Sequence, residues 1–381
     1  MTRKIRPLAT SVALVLGASS FAAAAQTANT LDTVIVTGTR VADRTVAESQ
    51  SPIDIITPEV LQSTGTSELA TALSRALPSL NFPRPALTDG TSGVRPAQLR
   101  GLSPDQVLVL VDGKRRHTSA MINVNGTAGR GSSAVDINAI PITAIERVEV
   151  LRDGASAQYG SDAIAGVINI VLKGSGRGGS LAVDHGQYSA GDGNKYQLSG
   201  DTGVEFGDGR GRVHVAGQIS QQDESNRAGP YRGTTPDTGN YPSIGETTFV
   251  VGDPRVDATA ASINGSFDFS DHVTGYANAI LSNRDITSFA FYRSRNHLNQ
   301  TALLAQTYPD GFVPEINQYS KDRSVVAGVK GNTDSGWTWD LSLNHGENTL
   351  DFHTRNSINY SLGATSPRSF YDGTLKYQQD I

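Results

Sequence analysis

Seven histidines, His117, His185, His214, His272, His297, His345 and His353, are the first residues to test for acid–base or metal chemistry. None stands in H-x-x-x-H spacing, so no pair would face one ion from adjacent helical turns. Each reads as a surface or lumen residue. The chain has no cysteine, which excludes thiolate metal sites, cysteine nucleophiles and disulfide scaffolds together. No G-x-S-x-G elbow or paired-carboxylate arrangement stands out. Gly174-Ser175-Gly176-Arg177-Gly178-Gly179 satisfies G-x-G-x-x-G after a strand pattern. A dinucleotide fold would need a helix to follow, but Leu181 and Val183 alternate as a strand, so the run reads as a hinge. Lys114-Arg115-Arg116-His117 follows a turn and reads as a solvated basic loop. These residues support no enzyme, and neither a cofactor nor a metal is expected. What remains is recognition. Leu31-Asp32-Thr33-Val34-Ile35-Val36-Thr37-Gly38 is a β-branched island that could add itself as a strand to an exposed sheet edge. It could equally be the first strand of the domain that follows.

The elements around these residues belong to a polar, strand-rich chain of 381 residues. Only 37% are hydrophobic and 7% aromatic, and the mean hydropathy is −0.28. A spanning helix needs roughly 20 consecutive apolar residues, and none is present. Forty Gly against 16 Pro favours turns between strands. A net charge of −5 speaks against a broad grip on nucleic acid. At the N-terminus Arg3, Lys4 and Arg6 precede the short apolar run Leu8 to Leu16. Ala23 and Ala25 then form an A-x-A-like site, so residues 1–25 read as a signal peptide cleaved before Gln26. An exported chain without apolar helices can still cross a bilayer as a closed barrel.

Three zones follow the signal. Residues 26–47 are small, polar and unpatterned apart from the β-branched island. Residues 48–173 read as a mixed α/β domain. Pro52 to Ile56 alternates as a strand, and Thr57-Pro58-Glu59 has the chemistry of a helix start. Leu69, Leu73 and Leu77 share a helical face that Pro78 ends. Val107 to Val111, Val148 to Leu151 and Val167 to Leu172 are apolar strands, and Pro141 to Ile145 is a helical turn. From residue 174 to 381 the period becomes two. Trp337, Trp339, Leu341 and Leu343 alternate with Thr338, Asp340, Ser342 and Asn344. Val213, Val215 and Ile219 alternate with His214, Gln218 and Ser220. Tight turns at Gly207-Asp208-Gly209 and Asn332 to Gly336 contrast with long polar excursions near 222–256, 285–320 and 354–374. Short turns at one end and long loops at the other describe an outer-membrane barrel; a soluble β-sandwich is the alternative.

Taken together, these segments resemble the TonB-dependent outer-membrane receptors. Asp32-Thr33-Val34-Ile35-Val36-Thr37-Gly38 resembles their TonB box. Leu99-Arg100-Gly101-Leu102 with Val107 to Gly113 is similar to the first plug signature. Ile145 to Gly154, Tyr159-Gly160-Ser161 and Ala165 to Ile170 resemble the second. The resemblance implies an α+β plug inside an antiparallel transmembrane β-barrel of 22 strands, of which only seven and the start of an eighth are expected here. It further implies that TonB, energised from the inner membrane, binds the box and loosens the plug. Arg100 and Arg152 are the arginines expected to lock plug to barrel. Tyr231, Tyr241, Phe291, Tyr292 and Arg293 lie in loops where ligand would be met.

The expected function is therefore energised uptake of a scarce ligand across the bacterial outer membrane, with lipid and TonB as partners. A ferric siderophore or similar metal complex is the leading cargo. Cobalamin or carbohydrate uptake, a passive porin or adhesive barrel, and a periplasmic binding protein made of the plug alone are the alternatives. Twenty-two strands of about 10 residues need roughly 220 residues before any loop. The 208 residues after Lys173 thus read as part of a barrel. The chain is expected to be an N-terminal fragment of a receptor, or a truncated remnant unable to transport.

Overall fold

In a computed structural model of the protein, the described residues are Thr37, 51–66, 68–127, 129–152, 155–234 and 238–381. The expected signal peptide lies outside them, as does the expected TonB box except for Thr37.

The first domain is a five-stranded sheet in the order β1-β6-β7-β4-β5. Its strands are β1 (Ile53–Ile56), β4 (Val107–Val111), β5 (Lys114–Arg115), β6 (Ile145–Leu151) and β7 (Gly166–Leu172). A separate two-stranded pair joins β2 (Leu80–Asn81) to β3 (Gln98–Leu99). Strands β4 and β7 run parallel, and the other pairings are antiparallel. Helix α1 (Pro58–Ser63) starts as its sequence dictates, with the Thr57 side chain accepting from the Val60 amide and Pro58 in the first turn. Helix α2 (Leu69–Ala76) presents Leu69 and Leu73 to the sheet, and Leu77 follows it into the core.

Successive side chains of a strand point to opposite faces, so β4 serves two cores. Val107, Val109 and Val111 join the larger one with Ile168, Ile170 and α2. Leu108 and Leu110 join a smaller one with Ile53, Leu151 and Val167. The apolar run of β4 is continuous because both faces are covered. Gly166 has φ 139°, and a Cβ there would strike the Leu151 carbonyl.

The second domain is a single eight-stranded antiparallel sheet in sequence order. It comprises β8 (Gly179–Gly186), β9 (Lys195–Phe206), β10 (Gly211–Gln222), β11 (Arg255–Ser270), β12 (Val273–Phe289), β13 (Glu315–Asn332), β14 (Thr338–Arg355) and β15 (Ser369–Asp380). The eighth strand spans 12 residues. Turns at 207–210, 271–272 and 333–337 lie at one end, with longer segments 223–254, 290–314 and 356–368 at the other. The last three are shorter than the sequence suggested. Residues 285–289 and 315–320 pair as strand because their polar side chains have the plug to face: Asn317, Gln318 and Ser320 are buried.

This sheet forms a partial wall around the plug. Along β13 burial alternates strictly from Gln318 to Val326, even positions inward and odd positions outward. Outward positions near the short turns are apolar: Val215, Ile263, Val325, Leu341 and Leu343 are exposed there. Phe206, Phe267 and Phe269 form an aromatic row at that end, with ring centroids 5.9 and 5.2 Å apart. Toward the long loops the outer face becomes charged, with Lys321, Glu347, Asp351 and Lys376 paired across strands. An 18-residue strand is about 60 Å long, well beyond the ~9–11 residues needed to cross a bilayer. The apolar band therefore occupies only part of the wall's height. Among the described residues no helix is long and apolar enough to cross a membrane.

Candidate functional site: the plug–wall seam and its mouth

The seam is built from side chains that each domain projects across the gap. After β5 the chain carries Arg116 and His117 into the wall, where both are buried. Arg116 pairs with Asp322 of β13 and donates to Ser324. The His117 Nε2 lies 3.1 Å from the other Asp322 oxygen. Asn348 of β14 donates to the same carboxylate at 3.1 Å and accepts from the Ala120 amide at 2.8 Å. The approach is possible because β14 has Gly346 here, where any Cβ would collide with the His117 ring. Of the basic cluster expected as a solvated loop, Arg116 and His117 are thus a buried anchor, while Lys114 and Arg115 are half-buried. The sequence signal that could have found it is Asp322, an acid on the inward face of an alternating strand.

A second anchor runs the opposite way. Arg284 of β12 pairs with plug Asp136 at 2.5 Å and donates to the Gly93 carbonyl at 2.6 Å. Burial pushes the Asp136 carboxyl up to about 6, with Arg284 pulling against it. Nearer the long loops, Arg84 of the plug pairs with Asp253 at 2.8 Å, and Tyr188 donates to that carboxylate at 2.5 Å. Behind them Glu68 pairs with Arg95 at 2.7 Å. Burial opposes its ionisation, but Arg95, the Lys195 charge and Thr71 prevail and hold it at about 2. Near the short turns Lys114 pairs with Asp340 at 3.0 Å, and Asn344 donates to the Arg115 carbonyl at 2.6 Å. Apolar contact across the seam is a patch of Val94, Ala120 and Met121 against Leu350, together with Ala216 and Ile280 of the wall packed into the plug's main core.

Arg100 and Arg152, the arginines expected at this seam, sit elsewhere. Arg152 pairs with Asp54 of the plug at 2.5 Å, and Arg100 donates to the plug's Ile164 carbonyl at 3.2 Å. Both are exposed. Each follows a strand end, where its side chain points along the plug rather than out to the strands described.

The five loop residues expected to meet ligand do come together. Tyr231 and Tyr241 stack at 5.5 Å, and Phe249 meets Phe291 at 6.2 Å and Tyr292 at 6.4 Å. Arg293 donates to Asn240 at 2.8 Å, tying segment 223–254 to segment 290–314. Tyr292 is buried and donates to the Asp310 carbonyl, whereas Tyr241 and Phe291 are exposed. Sequence reasoning missed Phe249, which packs against both Phe291 and Tyr292.

Of the expected TonB box, Asp32, Thr33, Val34, Ile35, Val36 and Gly38 lie outside the described residues. Thr37 is buried against the plug. Its amide and hydroxyl donate to one oxygen of Glu149, at 3.0 and 2.6 Å. Arg147 donates to the other at 3.0 Å.

The fold and seam define a plug seated in a partial antiparallel wall. Residues 45–167 match the TonB-dependent Receptor Plug Domain family. It is 30% identical over 218 residues to the ferrienterobactin receptor of Escherichia coli, a match covering 54% of this chain and 28% of that one. It is 32% identical over 185 residues to the vitamin B12 transporter BtuB of Vibrio cholerae, covering 49% and 27%. The chain thus spans less than a third of the curated relatives it matches. Its fold is similar to a ferric enterobactin receptor mutant of Pseudomonas aeruginosa solved with enterobactin. That superposition has a TM-score of 0.55 at 20% identity and covers 86% of this chain and 45% of that one. The siderophore receptor PiuA of Acinetobacter baumannii superposes at 0.51 and 13% identity, covering 92% and 56%.

Proposed function

We propose that the chain is the plug and first part of the wall of an energised bacterial outer-membrane uptake receptor, a non-enzymatic transporter whose cargo is a ferric siderophore. The observation that carries this reading is the seam. A plug-family domain is held to a lipid-facing wall mainly by ion pairs and amides, contacts that water can replace when the plug loosens. The outward apolar band and its aromatic row support a place in the outer membrane. In this reading TonB captures residues 32–38 by strand addition, and the loop aromatics with Arg293 meet cargo first. Arg100 and Arg152, exposed on the plug, reach the part of the wall that this chain does not carry. The domain organisation follows: residues 1–25 a signal, 26–47 the TonB-binding segment, 48–173 the plug and 174–381 wall.

Deleting Thr33–Thr37 in the receptor tests this. Accumulation of a radiolabelled ferric siderophore by whole cells should fall to the level of a TonB-deficient strain, with surface binding retained. Uptake that survives the deletion refutes the reading. Likeness to vitamin B12 transporters supports cobalamin as a second cargo, and competition between the two labelled ligands separates them.

A further inference from the structure

A cavity of about 560 Å³ lies between the α1–α2 region of the plug and the start of the wall, at strands β8 and β9. That volume falls in the range of small-molecule pockets, about 300–1,000 Å³. Two of its lining groups keep hydrogen-bonding capacity unused by the protein. Gln197 is 1% exposed, yet its amide oxygen has no hydrogen-bond partner among the described residues. Buried amides are nearly always paired. Lys195, two residues along the same inward face of β9, lines the cavity and forms no salt bridge among the described residues.

The neighbouring acids Glu68, Asp184 and Asp253 act on Lys195 through space, but none forms an ion pair with it among the described residues. Glu68 is committed to Arg95 and Thr71, and Asp253 to Arg84 and Tyr188. Asp184 also lines the space and offers acceptors for hydroxyl groups. We propose that this cavity binds a small hydroxylated carboxylate, its carboxylate on Lys195 and its hydroxyls on Gln197 and Asp184. An acid without hydroxyls would leave the Gln197 amide unanswered, and a neutral polyol would leave the ammonium so. The argument rests on the cavity alone and holds whether or not the chain takes part in uptake.

Equilibrium dialysis of the full chain in detergent micelles tests it with three labelled probes of one chain length: gluconate, hexanoate and sorbitol. Gluconate should bind at least about tenfold more tightly than either of the others, since each lacks one half of the recognition. Lys195→Met should weaken gluconate by a similar factor, and Gln197→Leu should erase the preference over hexanoate. Equal binding of the three probes, no gluconate binding, or gluconate binding untouched by Lys195→Met overturns the proposal. The comparison of probes on the unaltered chain decides the matter even if a variant fails to fold.

Discussion

The plug meets itself and meets the wall through opposite chemistry. Inside it, Ile168, Ile170, Leu73 and Ile145 are sealed from water in one aliphatic core. Against the wall it presents Arg116, His117, Asp136 and Arg84, each answered by an oppositely charged or polar group. An aliphatic core resists opening because every separated pair of side chains exposes apolar area, at about 25 cal/mol per Å². A polar seam exchanges protein partners for water at far smaller net cost. The difference separates what must stay folded from what can be released.

Breaking one anchor gives the largest test. Asp322→Ala leaves Arg116 and His117 buried without their carboxylate, which should cost the docked state about 3–5 kcal/mol. Hydrogen exchange should quicken at residues 116–123 and stay slow in β4 and β7. Loss of protection in both regions together would mean that core and seam are one cooperative unit. Leu73→Ala works on the other side of the comparison. It should destabilise the plug by about 2–5 kcal/mol in urea unfolding, with no selective change at residues 116–123.

Acid distinguishes two carboxylates at the plug–wall boundary. Asp136 titrates near 6, above its ordinary 3.8, so its contribution is full below 3.8 and is lost as pH rises through about 6. Glu68 is held near 2, below its ordinary 4.5, so its contribution is present above 4.5 and lost as pH falls through about 2. In plug-release measurements against pH, Asp136→Asn should flatten the change between about 4 and 6, and Glu68→Gln the one below 4.5. The smallest effect belongs to Thr57→Ala, which removes the cap of α1 and should cost about 1 kcal/mol in plug stability without altering release from the wall.

How far these features were legible follows from how local they are. The Thr57 cap, the Leu69–Leu73–Leu77 face and the apolar strands all announce themselves within a few residues, and the structure has them where the pattern put them. Alternation in Trp337 to Asn344 revealed the wall for the same reason. The anchors were not legible, because Arg116 and Asp322 are 206 positions apart and only the seating of one domain in the other makes them neighbours. That seating also made residues 315–320 look like a loop: their inward side chains are polar because the plug they cover is polar. Arg100 and Arg152 stand in recognisable motifs, but motif membership does not fix which surface a side chain turns toward.

The order of strands in the plug also has a mechanical meaning. The first described strand, β1, has only four residues and lies at the edge of the described sheet, where β6 is its one neighbour. Farther toward the N-terminus, Thr37 is tethered to Glu149 on that same β6. Tension applied to the leading segment would enter the sheet at its margin and reach the central strand β7 only after β1 and β6. A structure loaded in this way yields in stages, tether, then edge, then middle, so the travel of the pulled end sets how much of the plug gives way.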